Sequence, residues 1–138
     1  MEKVYLWTID KSENTTSTHK EITASKQTEK LIQEVINSLN MCLSKQNTWE
    51  LLGMIHFGDV KVSIQASRFH YCTPRTDNAE TYTELELWFP SKKPPEYIMP
   101  YEEPLNEDPT ENIYGYVPIN LIAKWIIEKG DKEILLIK

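Results

Sequence analysis

The sequence predicts an α+β fold, a mainly antiparallel sheet with two helices packed on one face and a long segment rich in Pro, Tyr and acids. Three observations predict it. Val60 to Gln65 and Thr81 to Phe89 alternate apolar with polar residues, the period of a half-buried strand. Leu31 to Leu43 and Leu121 to Ile126 instead carry apolar residues at helical spacing. The order of elements is strand, helix, two or three strands, a Pro-rich stretch, helix and strand, which is the order of an α+β domain.

Val4-Tyr5-Leu6-Trp7-Thr8-Ile9 is aromatic and β-branched and forms the first strand. Asp10 to Thr18 has no aliphatic side chain and reads as a loop. Glu21-Ile22-Thr23 returns as a short second strand, making an N-terminal hairpin. The first helix follows at about 26–44. Leu31, Ile32, Val35, Ile36, Leu39, Cys42 and Leu43 form its stripe, and Ser25 is the N-cap. Asn47-Thr48 ends the region. Trp49 to Phe57 is too short for periodicity to separate a strand bulged at Gly53 from a helical turn. Gly58-Asp59 suits a two-residue type II′ turn, and Val60, Val62 and Ile64 face the core. In the next strand Leu85, Leu87 and Phe89 share one face and Glu84, Glu86 and Trp88 the other. Residues 75–80 are a polar loop. Six of the eight prolines lie between Pro90 and Pro109, which argues against a central strand there. Pro118 opens the last helix, Gly130 caps it, and Ile134 to Ile137 is the final strand.

The chain has 138 residues, 40% hydrophobic and 26% charged, with a net charge of −6. One domain, 1–138, is expected. No run approaches the roughly 20 apolar residues of a membrane span, and the acidic balance excludes nucleic-acid binding through a broad basic surface. Cys42 and Cys72 are no disulfide framework, so a cytoplasmic protein is expected. There is no phosphate loop, zinc pair, nucleophile elbow or other catalytic signature, and no cofactor or metal is called for.

Charge isolates segment 94–117. No basic residue occurs between Lys93 and Lys124, and the six acids there are Glu96, Glu102, Glu103, Glu107, Asp108 and Glu111. Without them the chain has 15 acids and 15 bases. The segment also holds Tyr97, Tyr101, Tyr114 and Tyr116, four of the seven tyrosines. Tyrosine offers contact area at low entropic cost, and proline limits what a loop loses on ordering. An acidic Tyr- and Pro-rich loop therefore suits a protein partner with a basic surface.

A second constellation lies at 68–82. The parity of Val60, Val62, Ile64 and Ala66 carries on to Arg68, His70 and Cys72, turning Phe69 and Tyr71 outward. Either a bulge near Ser67 restores an apolar face, or the strand leaves the core and Arg68 and His70 face a pocket. Arg68 and Arg75 are the only arginines, against 13 lysines, and arginine is the planar, bidentate partner of phosphate. An anionic nucleotide would be held by Arg68, His70 and Arg75 with Tyr71 or Tyr82 stacking on it. His70 and Cys72 share a face, a poor geometry for an activated thiolate, and their expected role is structural.

In general character the chain resembles the small proteins of phages and other mobile elements. It is short and acidic, rich in lysine, isoleucine and asparagine, poor in arginine and without a catalytic signature. The resemblance implies a non-enzymatic protein that binds and inhibits host machinery, including defence systems, by blocking a protein surface or by sequestering a nucleotide signal. It assigns no residue a role. The oligomeric state stays open, a homodimer included.

Overall fold

The computed structural model describes residues 3–8, 20–44, 54–129 and 133–137. Its elements are β1 (Lys3–Thr8), α1 (Lys20–Leu43), β2 (Met54–Phe57), β3 (Val60–Gln65), β4 (Glu84–Trp88), β5 (Glu102–Glu103), β6 (Ile113–Pro118), α2 (Ile119–Lys129) and β7 (Glu133–Ile137). The strands form one sheet in the order β1-β7-β2-β3-β4-β6-β5, and its pairings are antiparallel. The α+β class is as the sequence predicts.

Hairpin β2–β3 closes through Gly58 and Asp59. Gly58 has φ +57° while Asp59 does not enter the left-handed region, the sign pattern of the II′ turn. A Cβ at Gly58 would also stand 2.1 Å from the carbonyl oxygen of Lys129, so the turn needs glycine twice over.

Antiparallel partners carry their side chains on the same face, and the register thereby sorts the sheet. Ile55 pairs with Val62, Phe57 with Val60, Ile64 with Leu87 and Leu87 with Tyr114. All are buried and join one core with Val35, Leu39 and Leu43 of α1 and Ile122, Trp125 and Ile126 of α2. Trp125 meets Phe57 edge-on, ring centroids 5.1 Å apart, and α1 packs against α2.

Several expectations need correction. Glu21-Ile22-Thr23 is no strand. It lies inside α1, which starts at Lys20, so Ser25 is an interior residue and not the N-cap. Lys, Glu, Ala and Gln dominate this stretch, and a formed helix propagates through such residues at one hydrogen bond each. The partner of β1 is β7. Segment 94–117 is not a loop throughout, because Ile113–Pro118 is a strand hydrogen-bonded to β4. A bulge between Leu85 and Leu87 sets Glu86 against Gly115 and Tyr116, breaking the alternation that would have revealed β6. Pro118 closes that strand, and α2 opens at Ile119. Phe89 does not share the face of Leu85 and Leu87: β4 ends at Trp88, and Phe89 turns outward at φ +49°. The loop over Asp10 to Thr18, Asn47-Thr48, the run 49–53 with Gly53, and the Gly130 cap lie outside the described residues.

Candidate functional site

The second face of the sheet is built from the alternate residues of the same strands. Ser63 pairs with Trp88, Gln65 with Glu86, Trp88 with Ile113 and Ile113 with Glu103. This face is polar, yet Ser63, Gln65 and Glu86 are buried. What covers part of it is the segment after β3. Residues Ser67 to His70 turn back, with the His70 N–H donating to the Ser67 carbonyl at 3.2 Å. The His70 ring then lies on Trp88, 5.6 Å between centroids, and Tyr71 lies on Gly115, where a Cβ would come within 3.1 Å of the Tyr71 Cβ. Glu86 receives the Tyr71 backbone N–H and the Trp88 indole N–H. The Tyr116 N–H donates to the Tyr71 carbonyl at 2.9 Å, filling the gap that the bulge opens.

Four aromatic side chains stand out of this cover: Phe69 (56% exposed), Phe89 (51%), Tyr71 (43%) and Tyr116 (42%). Tyr71 and Tyr116 lie 5.7 Å apart, and Trp88 and Phe89 6.3 Å. Arg68 sits over Phe69 at 4.8 Å and Arg75 over Tyr71 at 5.3 Å, separations at which a cation is held by the ring. Phe89 and Tyr116 both have positive φ, +49° and +54°. Such a backbone costs a bulky residue on the order of 1–3 kcal/mol and persists only where its surroundings enforce it.

The residues proposed to hold an anionic nucleotide are only partly brought together. Arg68 and Arg75 flank the aromatic cluster, but Arg68 is in an ion pair with Asp77 at 3.4 Å. His70 is buried, its Nδ1 2.6 Å from the Ser67 hydroxyl. Burial, the largest influence, holds its pKa below the ordinary 6.5, which favours the neutral ring, and its Nδ1 is already engaged by Ser67. Tyr82 is fully buried, its hydroxyl donating to the Thr76 carbonyl at 2.7 Å and accepting from the Ala79 N–H at 3.1 Å. It cannot stack on a ligand; it moors the loop 75–80. Neither alternative for the strand end holds in full. No bulge restores an apolar face; the strand stops, and Arg68 turns to solvent and Asp77. Cys72 is buried, which pushes its thiol upward, and it donates to the Ser67 carbonyl at 3.2 Å. That is a packed, hydrogen-bonded thiol. No disulfide joins it to Cys42.

The residues proposed for a protein partner divide into two groups. Tyr114 is fully buried, its hydroxyl donating to the Pro109 carbonyl at 2.7 Å. Tyr97 and Tyr101 are half-buried against the core, and Tyr97 donates to Glu128 at 2.8 Å beneath the Lys124 ammonium. These three tie the segment down, and Tyr116 belongs to the aromatic face. Glu102 accepts from the Asn112 amide at 3.0 Å and is structural. Glu96, Glu103, Glu107 and Asp108 are exposed.

Residues 103–111 form a tip whose shape is held from within. The buried Asn112 accepts the Asn106 N–H at 2.9 Å and donates to the Asn106 carbonyl at 2.8 Å. Asn106 in turn donates to the Glu111 carbonyl at 3.0 Å. Asp108 caps the Pro109–Glu111 turn, accepting the Thr110 N–H at 2.9 Å and hydroxyl at 2.7 Å, bonds that hold its carboxyl below its ordinary pKa. On this tip stands Leu105, 78% exposed and the most exposed large apolar side chain among the described residues. It is not among the residues that charge or periodicity single out. The available signal was that it is the sole aliphatic residue between Tyr101 and Ile113. Asn106 and Asn112 carry no such signal.

Among the described residues no group of three or more His, Cys, Asp or Glu side chains is placed to hold a metal ion, and no helix is long and apolar enough to cross a membrane. Comparison with protein-family models, with curated proteins and with solved structures finds no match.

Proposed function

We propose that the protein is a non-enzymatic binding protein whose acidic tip, residues 103–111, docks on a basic surface of a protein partner. One observation carries this: Leu105, the most exposed apolar side chain described, stands among Glu103, Glu107, Asp108 and Glu111 on a loop locked by its own hydrogen bonds. A preformed loop loses little conformational entropy on binding. Its carboxylates steer encounter with a cationic surface, and Leu105 supplies the contact that slows dissociation. The general resemblance to phage-encoded proteins makes inhibition of a host protein in the host cytoplasm, including one of a defence system, the setting of this reading. The alternative, sequestration of an anionic nucleotide signal through Arg68, His70 and Arg75, lacks support from the geometry, since His70 and Tyr82 are buried and Arg68 is already paired.

The test is affinity capture from native cells with two baits, the wild-type chain and the variant Leu105→Ala/Glu107→Gln/Asp108→Asn. A protein retained by the first and lost by the second, with binding that weakens as salt rises, supports the reading. Identical capture by both baits overturns it.

A further inference from the structure

The exposed aromatic face has a distribution of charge that narrows what covers it. At the level of Trp88 and Phe89 the strands run β3, β4, β6, β5 across the sheet. On the β3 side Ser91 is stitched to Lys61, its N–H donating to the Lys61 carbonyl at 2.7 Å and its hydroxyl accepting the Lys61 N–H at 2.8 Å. Lys61 is exposed on this side, and Lys92 and Lys93, which follow Ser91 in the chain, are exposed too. On the β5 side the same register carries Glu103, and Glu111 precedes Asn112, whose carbonyl accepts the Phe89 N–H at 3.1 Å. Both acids are exposed. Phe89 therefore stands between a cationic edge and an anionic edge, its ring presented by a backbone at φ +49°.

A surface with an apolar centre, positive on one side and negative on the other, is complementary to itself. A half-turn about an axis through its centre lays each cationic edge on the anionic edge of the other copy, and the contact closes at two. A nucleic acid does not satisfy this face, because Glu103 and Glu111 would repel its phosphates. We propose that the face around Trp88 and Phe89 is a two-fold self-association surface. Phe89 of each copy lies near the axis, and Lys61, Lys92 and Lys93 of one copy oppose Glu103 and Glu111 of the other. The two acidic tips are then carried by one dimer, with Leu105, Glu107 and Asp108 beyond the contact.

Sedimentation equilibrium of the full chain, up to about 200 µM and at low and high salt, reads this directly. The expected species has twice the 16.2 kDa chain mass. Phe89→Asn, a residue that accepts positive φ more readily than Phe, should raise the dissociation constant at least about ten-fold. Lys92→Glu/Lys93→Glu should weaken the dimer, as should Glu103→Lys/Glu111→Lys, and combining all four reversals should restore it, since each edge again meets its opposite. The variant Leu105→Ala/Glu107→Gln should leave the mass unchanged, because, of the tip's residues, only Glu103 and Glu111 lie in the proposed dimer contact. A chain that stays at 16.2 kDa throughout overturns the proposal, whether or not the monomer takes up an oligonucleotide or another protein. So does a dimer that neither Phe89→Asn nor either charge reversal weakens.

Discussion

Strand β4 serves two unlike surfaces within five residues. Leu85 and Leu87 point to the core, both fully buried, and the intervening Glu86 points to the other face, where it is also buried but among polar groups. On the first face burial is nonspecific, because any apolar side chain of suitable volume removes area from water. On the second, burial is conditional. A carboxylate, a serine hydroxyl and a glutamine amide are tolerated there because they are partnered: Glu86 accepts the Tyr71 N–H and the Trp88 indole N–H, and the Gln65 amide donates to the Ser63 hydroxyl. Loss of volume should dominate on the one face and loss of a partner on the other.

The largest expected effect is on the apolar face. Leu87→Ala should cost about 2–5 kcal/mol, because its neighbours, Ile64 of β3 and Tyr114 of β6 among them, collapse only partly into the space left. A urea titration measures it. A shift in midpoint worth less than about 1 kcal/mol would mean that this face is not the tightly packed one.

Next comes the polar face. Glu86→Ala should cost about 1–3 kcal/mol, since the Tyr71 N–H and the Trp88 indole N–H lose their acceptor in a partly buried site. Glu86→Gln keeps one carbonyl oxygen and should cost less. The order Ala worse than Gln, measured by the same titration, identifies lost hydrogen bonding as the cause; equal costs would point to charge alone.

These two faces differ also in how far they could be read from residues alone. Period-2 runs located β3 and β4 and the apolar half of each, and the helical stripes located α1 and α2. Burial of Glu86 and His70 could not be read that way, because it comes from contacts between β4 and a segment 15 or more residues distant in the chain. For the same reason β6 was missed: its bulge at Gly115 and Tyr116 exists to receive Tyr71, a long-range contact that leaves no local period. The parity of β3 turns Phe69 and Tyr71 outward, as found, but puts Arg68 on the opposite face; its exposed position and its pairing with Asp77 depend on the loop's return. The acid count singled out segment 94–117, and could not say that Glu102 is a structural acceptor while Glu107 is not.

A smaller effect separates the faces by pH. Burial holds His70 below the ordinary 6.5; Glu86 opposes this, Arg75 adds to it and Asp77 opposes it again. As pH falls below about 6.5 the unfolded chain takes up this proton before the folded one does, so stability declines, and the decline from this group ends once the folded His70 is itself protonated. Above that pH the group contributes no slope. Urea midpoints taken from neutral pH to about pH 5 should therefore fall more steeply in the wild-type chain than in His70→Gln, in which the common carboxylate contribution remains. Parallel curves would place His70 in a more hydrated setting than its contacts with Ser67 and Trp88 describe.

The smallest expected effect is at the tip, and its smallness carries the meaning. The Leu105 side chain buries little in the chain itself, and Glu107 accepts none of the hydrogen bonds that hold residues 103–111. The side-chain bonds come from Asn106, Asp108 and Asn112, and the backbone adds the Leu105 N–H to the Glu103 carbonyl and the Glu111 N–H to the Asp108 carbonyl, which neither substitution removes. Leu105→Ala and Glu107→Gln should each change stability by no more than about 0.5 kcal/mol, as exposed substitutions away from caps and buried partners do. Amide exchange at Asn106 and Thr110 should also stay as protected as in the wild-type chain, because their acceptors are untouched. An apolar side chain that a fold displays on a rigid support without using it is available to a partner at no cost to the fold. If Leu105→Ala instead destabilises the chain by more than about 1 kcal/mol, the residue is packed in solution, and the tip loses the contact on which its role in binding depends.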